Sequence, residues 1–184
     1  PLINKAVSGL YPPGSTVKPI IALAALEQGV VTEETEHYCN GRHRFGNRTF
    51  RCWKRGGHGK LDLKGAISNS CDVYFYKIAE DLSIEAMADM LRRFGLGQRF
   101  DLGIDGEKEG LVPDPAWKRA ARNEPWHGGE TLNVAIGQGA LLATPLQLAV
   151  MTARLASGYK LEPSLVSKDL ETDAPDTSFA AMDA

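Results

Sequence analysis

The chain has no marked excess of either charge. Its 21 Lys and Arg stand against 23 Asp and Glu, a formal net charge of −2 over 184 residues. A near-neutral chain carries no polyelectrolyte footprint, so nucleic acid is excluded as the expected partner. No apolar run approaches the roughly 20 residues that span a bilayer, and no signal peptide is visible. An initiating methionine is missing too: the chain begins at Pro1. It therefore reads as a piece of a longer protein, in which the lack of a targeting segment carries little weight. Cysteine is scarce and odd in number, at three. Pairwise disulfides cannot use all three, which raises a metal or a free thiol. What remains, 43% hydrophobic and 24% charged, is ordinary for a globular domain and long enough to bury a core.

Helical patterns dominate. One begins at Gly14-Ser15, runs through Val17, Ile20, Ile21, Ala24 and Ala25, and stops at Gly29. Pro19 fits it only in the first turn, where its missing N–H is not needed. Asp62 can cap a short helix, "LKGAISNS", and "CDVYFYKIAED" reads as a buried one. Ser83 caps the next, with Ile84, Met87, Ala88, Leu91 and Phe94 on one face and Gly95 at its end. Residues 95–113 are loop-like, and Asp114-Pro115 starts a helix whose "KRAARN" reads as a solvated face. Thr144-Pro145 opens the clearest helix, which runs to Gly158 with Leu146, Leu148, Ala149, Met151, Thr152 and Leu155 along it. Residues 30–60 differ, being polar and Gly-rich. Within them "HRFGNRTFRCW" predicts a hairpin turning at Gly46-Asn47. The three tryptophans, Trp53, Trp117 and Trp126, read as packing anchors.

Ser15 and Lys18 stand three residues apart behind the stiff Pro12-Pro13-Gly14. On a helix, residues at that spacing share a face, so the amine can reach the hydroxyl. A hydroxyl needs an adjacent base to become a nucleophile at neutral pH, and a lysine can supply it. The unpaired N–H groups of a helix start can also stabilise an oxyanion. The plain alternative is a Ser N-cap followed by a solvated lysine.

"GLYPPGSTVKP", "GHGKLDLKGAISNSCDVYFYKIA" and "TLNVAIGQGALLATPLQLA" stand in this order. Together they make the chain, over roughly residues 4–166, resemble the transpeptidase domain of class B penicillin-binding proteins, the elongation-type members in particular. S-x-x-K is among the motifs of that family. The resemblance implies a penicillin-recognising serine transpeptidase (β-lactamase-like) fold, α/β overall. This chain would supply mainly its helical part with a small β-hairpin, most of the central sheet being absent. It implies that Ser15 accepts the acyl group, that Lys18 is its general base, and that Ser70 relays a proton to the leaving amine. Asp72 stands where most relatives have Asn and the elongation-type members have Asp. A carboxylate beside Lys18 favours its ammonium form. Three readings follow: Asp72 points away, it is protonated, or the lysine loses its proton only once substrate displaces water.

The family's third motif, Lys-Thr-Gly or Lys-Ser-Gly, is absent from these residues. It lies on the strand that holds the substrate carboxylate, so the isolated chain is expected to be catalytically incompetent. The implied substrate is the peptidoglycan stem peptide, with β-lactams as acylating inhibitors. The implied partners are a membrane glycosyltransferase and elongation-complex proteins, at the periplasmic face of the inner membrane. A D,D-carboxypeptidase or serine β-lactamase of the same fold is the nearer alternative. A penicillin-sensing or scaffold module without turnover is the further one. Residues 1–168 are read as the partial transpeptidase domain and 169–184 as an acidic, frayed tail.

Cys39, Cys52, His58 and Cys71 are spaced C-x12-C-x5-H-x12-C. Three thiolates and an imidazole make a closed tetrahedral zinc shell, which uses every cysteine and pins the polar segment 37–60. Cys71 lies between Ser70 and Asp72, so a metal there would hold the second motif from behind. A Cys39–Cys52 disulfide with Cys71 buried and free, or unlinked thiols, are the alternatives in an oxidising compartment. His43 is a second-choice ligand; His37 and His127 read as surface or core histidines.

Overall fold

A computed structural model describes residues 3–165. The tail expected at 169–184 lies outside the described residues. In chain order the elements are α1 (Lys5–Ser8), a 3-10 turn at Gly14–Val17 that runs directly into α2 (Lys18–Glu27), β1 (His37–Cys39), β2 (Arg42–Phe45), β3 (Arg48–Arg51) and β4 (Gly59–Leu61). Then come α3 (Leu63–Ser68), α4 (Asp72–Asp81), α5 (Ile84–Arg93), α6 (Pro115–Arg122), α7 (Gly128–Ala135) and α8 (Pro145–Ser157). No described helix is long and apolar enough to cross a membrane.

The centre is α4. Val73, Tyr74, Phe75, Tyr76, Ile78 and Ala79 are all buried, so this helix is apolar nearly all round, as its sequence predicts. It packs against α7 and against β1, β2 and β3. Beside it, α2 packs on α5. Ala22, Ala24 and Ala25 are buried in α2, and such small side chains let helix backbones approach closely. Ser83 caps α5, its side chain accepting from Ala86 N at 3.1 Å, and Met87, Ala88 and Leu91 form the expected buried face.

The hairpin forms as predicted. β2 pairs antiparallel with β3, closed by Phe45 opposite Arg48 across Gly46-Asn47. A second ladder was not legible: β1 pairs antiparallel with β4, His37 opposite Leu61. These strands are three residues each, too short to show a period. Among the described residues there are only these two small sheets, which agrees with a helix-rich part of an α/β domain.

Two helix faces are more polar inside than their sequences suggest. α8 keeps its expected caps, with Thr144 Oγ1 accepting from Gln147 N and Gly158 left-handed at its end. Its buried side chains, however, are Gln147, Val150, Met151 and Arg154, while Leu155 is exposed. Carbonyls from the loop 95–113, from the end of α5 and from the segment after α8 explain this. From the loop, Gln98 O and Glu109 O each accept from Gln147 Nε2 at 2.7 Å. Arg154, 0% exposed, donates to Arg93 O, Leu161 O and the Glu162 carboxylate. A buried carbonyl needs a donor, so polar residues displace leucines from that face.

In α6 the "KRAARN" run is not wholly solvated. Lys118 is buried against Glu130, whose Oε2 also accepts from His127 N at 3.0 Å. Burial alone would raise the Glu130 pKa, but the Lys118 ammonium and the His127 N–H outweigh it and hold it below the usual glutamate value. A carboxyl lowered in this way stabilises the fold above the ordinary glutamate value of about 4.3. That contribution is lost as pH falls through the lower folded value. Glu130→Gln is therefore expected to lower the melting midpoint at pH 7. The two proteins should approach each other only as the pH falls through the lowered folded value; equal midpoints at pH 7 would refute this.

Candidate active site

Ser15 lies in the 3-10 turn that leads into α2. A 3-10 helix has about three residues per turn, so side chains at i and i+3 eclipse, and Ser15 and Lys18 are one such turn apart. The plain reading of this pair fails on two counts. The cap position is Pro13, with no side-chain cap bond, and Lys18 is 1% exposed rather than solvated. Ser15 itself is exposed.

Two contacts aim the serine's backbone. Tyr11 and Ala143 exchange N–H···O bonds of 2.9 Å, and Gly14 N donates to Gly137 O at 2.8 Å. A Cβ on Gly137 would lie 2.0 Å from Gly14 O, and Gly137 has φ +70°. The "GQG" turn is thus pressed against the residue preceding the candidate nucleophile, in agreement with the family resemblance, which implies that this turn packs near the active-site floor. Gly137→Ala is expected to cost at least about 2–3 kcal/mol, from left-handed strain plus a backbone clash. Thermal melting checks this, and an unchanged midpoint would contradict the geometry.

Lys18 joins the first motif to the second. Its Nζ donates to Asp72 Oδ1 at 2.7 Å, to Ser70 O at 2.8 Å and to Ser70 Oγ at 3.1 Å. Three acceptors match the three donors of an ammonium. Asp72 therefore does not point away, the first of the three readings above. Its second oxygen is also occupied: Trp53 N donates to Oδ2 at 2.9 Å. Asp72 opens α4, where the helix dipole favours a negative charge.

Ser70 has φ +49°, left-handed for a residue with a Cβ. The end of α3 explains it. Ser70 N donates to Ile67 O at 3.0 Å and Cys71 N to Ala66 O at 2.9 Å, the paired bonds of a Schellman cap, whose left-handed position usually holds glycine. Serine there keeps an Oγ to present to Lys18. Such strain is of order 1–3 kcal/mol and concentrates at functional sites.

Trp53 is not the packing anchor its type suggests. It is 65% exposed, yet its indole Nε1 donates to Asn69 O and Ser70 O at 3.1 Å each. Backbone and ring together brace both ends of the Ser70–Asp72 motif. Sequence gave no sign of this, because the residue acts through N–H groups. Trp126 does pack, donating to Thr131 Oγ1 at 2.9 Å, and Trp117 lies under Arg122.

The four predicted ligands converge. One ligand atom each from Cys39, Cys52, His58 and Cys71 lies within 4.8 Å of the others. His58 Nδ1 is 3.7 Å from Cys39 Sγ and 3.6 Å from Cys52 Sγ. Zn–S of about 2.3 Å and Zn–N of about 2.0–2.1 Å at a tetrahedral angle place S and N about 3.6 Å apart, so the donor set fits that ion. None of the three cysteines is in a disulfide, and all are buried. Two glycines allow the enclosure. A Cβ on Gly41 would meet Arg55 O at 2.2 Å, and one on Gly57 would meet Cys39 O at 2.2 Å. Burial pushes the Cys71 thiol up to about 12. At Cys39 burial acts the same way, but hydrogen bonds from Gly41 and His58 N–H and from the neighbouring thiols outweigh it and lower the value. Burial, with the Lys54 and Lys18 charges, lowers His58 despite Asp72, leaving a neutral imidazole at neutral pH. The other histidines are elsewhere: His43 stacks on Tyr76 and faces Glu80, His37 meets Tyr74, and His127 is exposed before α7.

Residues 1–180 match the family model of the penicillin binding protein transpeptidase domain. The peptidoglycan D,D-transpeptidase MrdA of Acinetobacter baumannii is 45% identical over 164 residues, covering 85% of this chain and 24% of that protein. A crystal structure of Pseudomonas aeruginosa PBP2 in complex with WCK 5153 superposes with a TM-score of 0.88 at 43% identity, covering 96% of this chain and 42% of the other. The Helicobacter pylori complex between PBP2 and MreC matches at a TM-score of 0.88 and 40% identity, over 94% of this chain and 32% of that one. The chain spans about a quarter of the length of curated relatives that it matches.

Proposed function

The chain belongs to the penicillin-binding protein transpeptidase family, and from that premise we propose that it is the acylation core of a peptidoglycan D,D-transpeptidase of the MrdA/PBP2 type. One observation carries the reading: Lys18, one 3-10 turn from Ser15, is bonded to both Ser70 Oγ and Asp72. In the reaction, Ser15 Oγ attacks the carbonyl of a D-Ala-D-Ala bond and its proton passes to Lys18. Lys18 has its donors spent on three acceptors, so it must first hand on a proton, and Asp72 Oδ1 is placed to take it. Ser70 Oγ then carries a proton to the leaving amine as the C–N bond breaks. D-Ala departs and Ser15 holds the acyl group until an acceptor amine attacks it. A β-lactam would acylate Ser15 in the same way. Relatives named D,D-transpeptidases favour this over a carboxypeptidase, a β-lactamase or a sensor without turnover.

Cys39, Cys52, His58 and Cys71 would hold one zinc ion as a structural link between the β segment and the start of α4. It would supply cross-linking and no catalytic step. We place the whole protein at the periplasmic face of the inner membrane, acting with a membrane glycosyltransferase and elongation-complex proteins. A Helicobacter pylori relative is seen with MreC, which supports this placement.

The test is acylation of the whole protein by a fluorescent penicillin. Stoichiometric labelling that Ser15→Ala abolishes is expected; labelling that survives Ser15→Ala would reject the assignment. Exchange of the terminal D-Ala for another amine, rather than hydrolysis alone, would distinguish the transpeptidase from the carboxypeptidase.

A further inference from the structure

Charge is distributed very unevenly along this near-neutral chain. Residues 37–61 hold seven Lys and Arg and no Asp or Glu, which leaves 14 basic residues to face all 23 acidic ones elsewhere. The β2–β3 register concentrates this charge, because Arg42 and Arg51 are directly opposite each other. Like charges at opposed positions of a ladder destabilise it. Arg42, Arg51 and Arg55 line an open cleft of about 590 Å³, with Trp53 as a further wall. Among the described residues none of these arginines is ion-paired, whereas Lys60 in the same segment pairs with Glu36. The reaction scheme above uses none of the three.

We propose that this cleft binds a free carboxylate of the peptide substrate, upstream of the bond that Ser15 attacks. Arginine presents a planar fork of donors that matches a carboxylate, and two opposed arginines can share one. The position selects a peptide rather than an unrelated anion. Trp53, a wall of the cleft, is the residue whose indole donates to Ser70 O and whose N–H donates to Asp72. A ligand in the cleft thus borders the Ser70–Asp72 motif beside Ser15's partner Lys18. One extended peptide with acidic groups can occupy both. The inference rests on the peptide-acylation reading of Ser15 and adds to it the chemistry of the donor's distal part.

The experiment uses the whole protein and two synthetic peptides ending in D-Ala-D-Ala, identical except that one upstream carboxylate is free or amidated. Release of D-Ala is measured. Wild type is expected to favour the free carboxylate about ten- to a hundredfold in kcat/KM, the range of a charge-assisted contact. Arg42→Gln with Arg51→Gln should bring that ratio close to one. Arg55→Gln, outside the ladder, should reduce it while leaving the hairpin intact. A wild type that is acylated by penicillin but shows no carboxylate preference overturns this proposal alone. So does an unchanged ratio in the double variant, or a loss of penicillin acylation as large as the loss of peptide turnover. Inhibition by inorganic pyrophosphate, without any carboxylate preference, would assign the cleft to a phosphate ligand and overturn it too. A wild type not acylated at Ser15 overturns the underlying reading with it.

Discussion

Lys18→Met is expected to lower penicillin acylation of Ser15 by about 10³-fold, within the 10²–10⁴ attributed to a positioned general base. It is also expected to destabilise the fold by about 3–5 kcal/mol, because it strands a carboxylate. Asp72 is 8% exposed, and Lys18 is its ion-pair partner. The two effects separate in a double variant. With Asp72→Asn added the stranded charge is gone, so much of the stability should return while acylation stays low. Rates from a fluorescent penicillin and midpoints from thermal melting give both numbers. Acylation that recovered together with stability would show that Lys18 acts by holding the fold, not by moving a proton.

Asp72→Asn alone asks a different question. A carboxylate offers two acceptor oxygens, and both are used, Oδ1 by Lys18 and Oδ2 by Trp53 N–H. An amide offers one. Asparagine could keep Lys18 only by turning its NH₂ toward the Trp53 N–H, donor against donor. The Asp in this chain is therefore matched to the Trp53 backbone. From sequence it appeared only as a charge working against a neutral lysine.

That contrast shows what the residues alone make legible. The helices with clear caps, those opened by Asp62, Ser83, Asp114 and Thr144, are where the sequence predicts them, because capping is local chemistry. The residues of the two candidate sets were named from the family resemblance and from residue type and spacing, and the structure brings Lys18, Ser70 and Asp72 together and likewise the three thiols and His58. What failed was tertiary. The paired strands β1 and β4 are too short to show a period, and their surroundings are tertiary: β1 packs on α4, β4 on α3, and Cys39 and His58 at their ends meet in the thiol cluster. The buried polar side chains of α8 answer carbonyls of a loop and of the end of α5, which no helical pattern records. Trp53 acts through its backbone and ring N–H groups, so residue type carried no signal there, whereas the place of the Gly137 turn came only from the family resemblance.

Removing the proposed zinc is the second large effect expected, and it should reach the active site. Cys52 precedes Trp53, whose N–H holds Asp72, and Cys71 separates Ser70 from Asp72. Apart from its ladders and its contacts with α4, the segment between β1 and β4 has little apolar side chain with which to hold itself. Its hydrophobic packing is Phe45, Phe50 and Leu61, all only partly buried, with Cys39 and Cys52 themselves. Ligand binding that exists only in the folded state adds directly to stability. Stripping the ion with a strong chelator, or replacing Cys71 by Ser, is therefore expected to lower the melting midpoint by about 10 °C or more; each kcal/mol moves a domain of this size by about 2–4 °C. Acylation at a temperature where the protein is still folded should fall about 10- to 100-fold, as when a support of a tuned site is lost. Metal analysis of freshly purified protein should give one zinc per chain, and none in Cys71→Ser. If the protein carries no metal and a chelator leaves the midpoint unchanged, the four side chains are packing groups. If the metal is present but acylation ignores its removal, Trp53 and Ser70 are held by α3 and α4 alone.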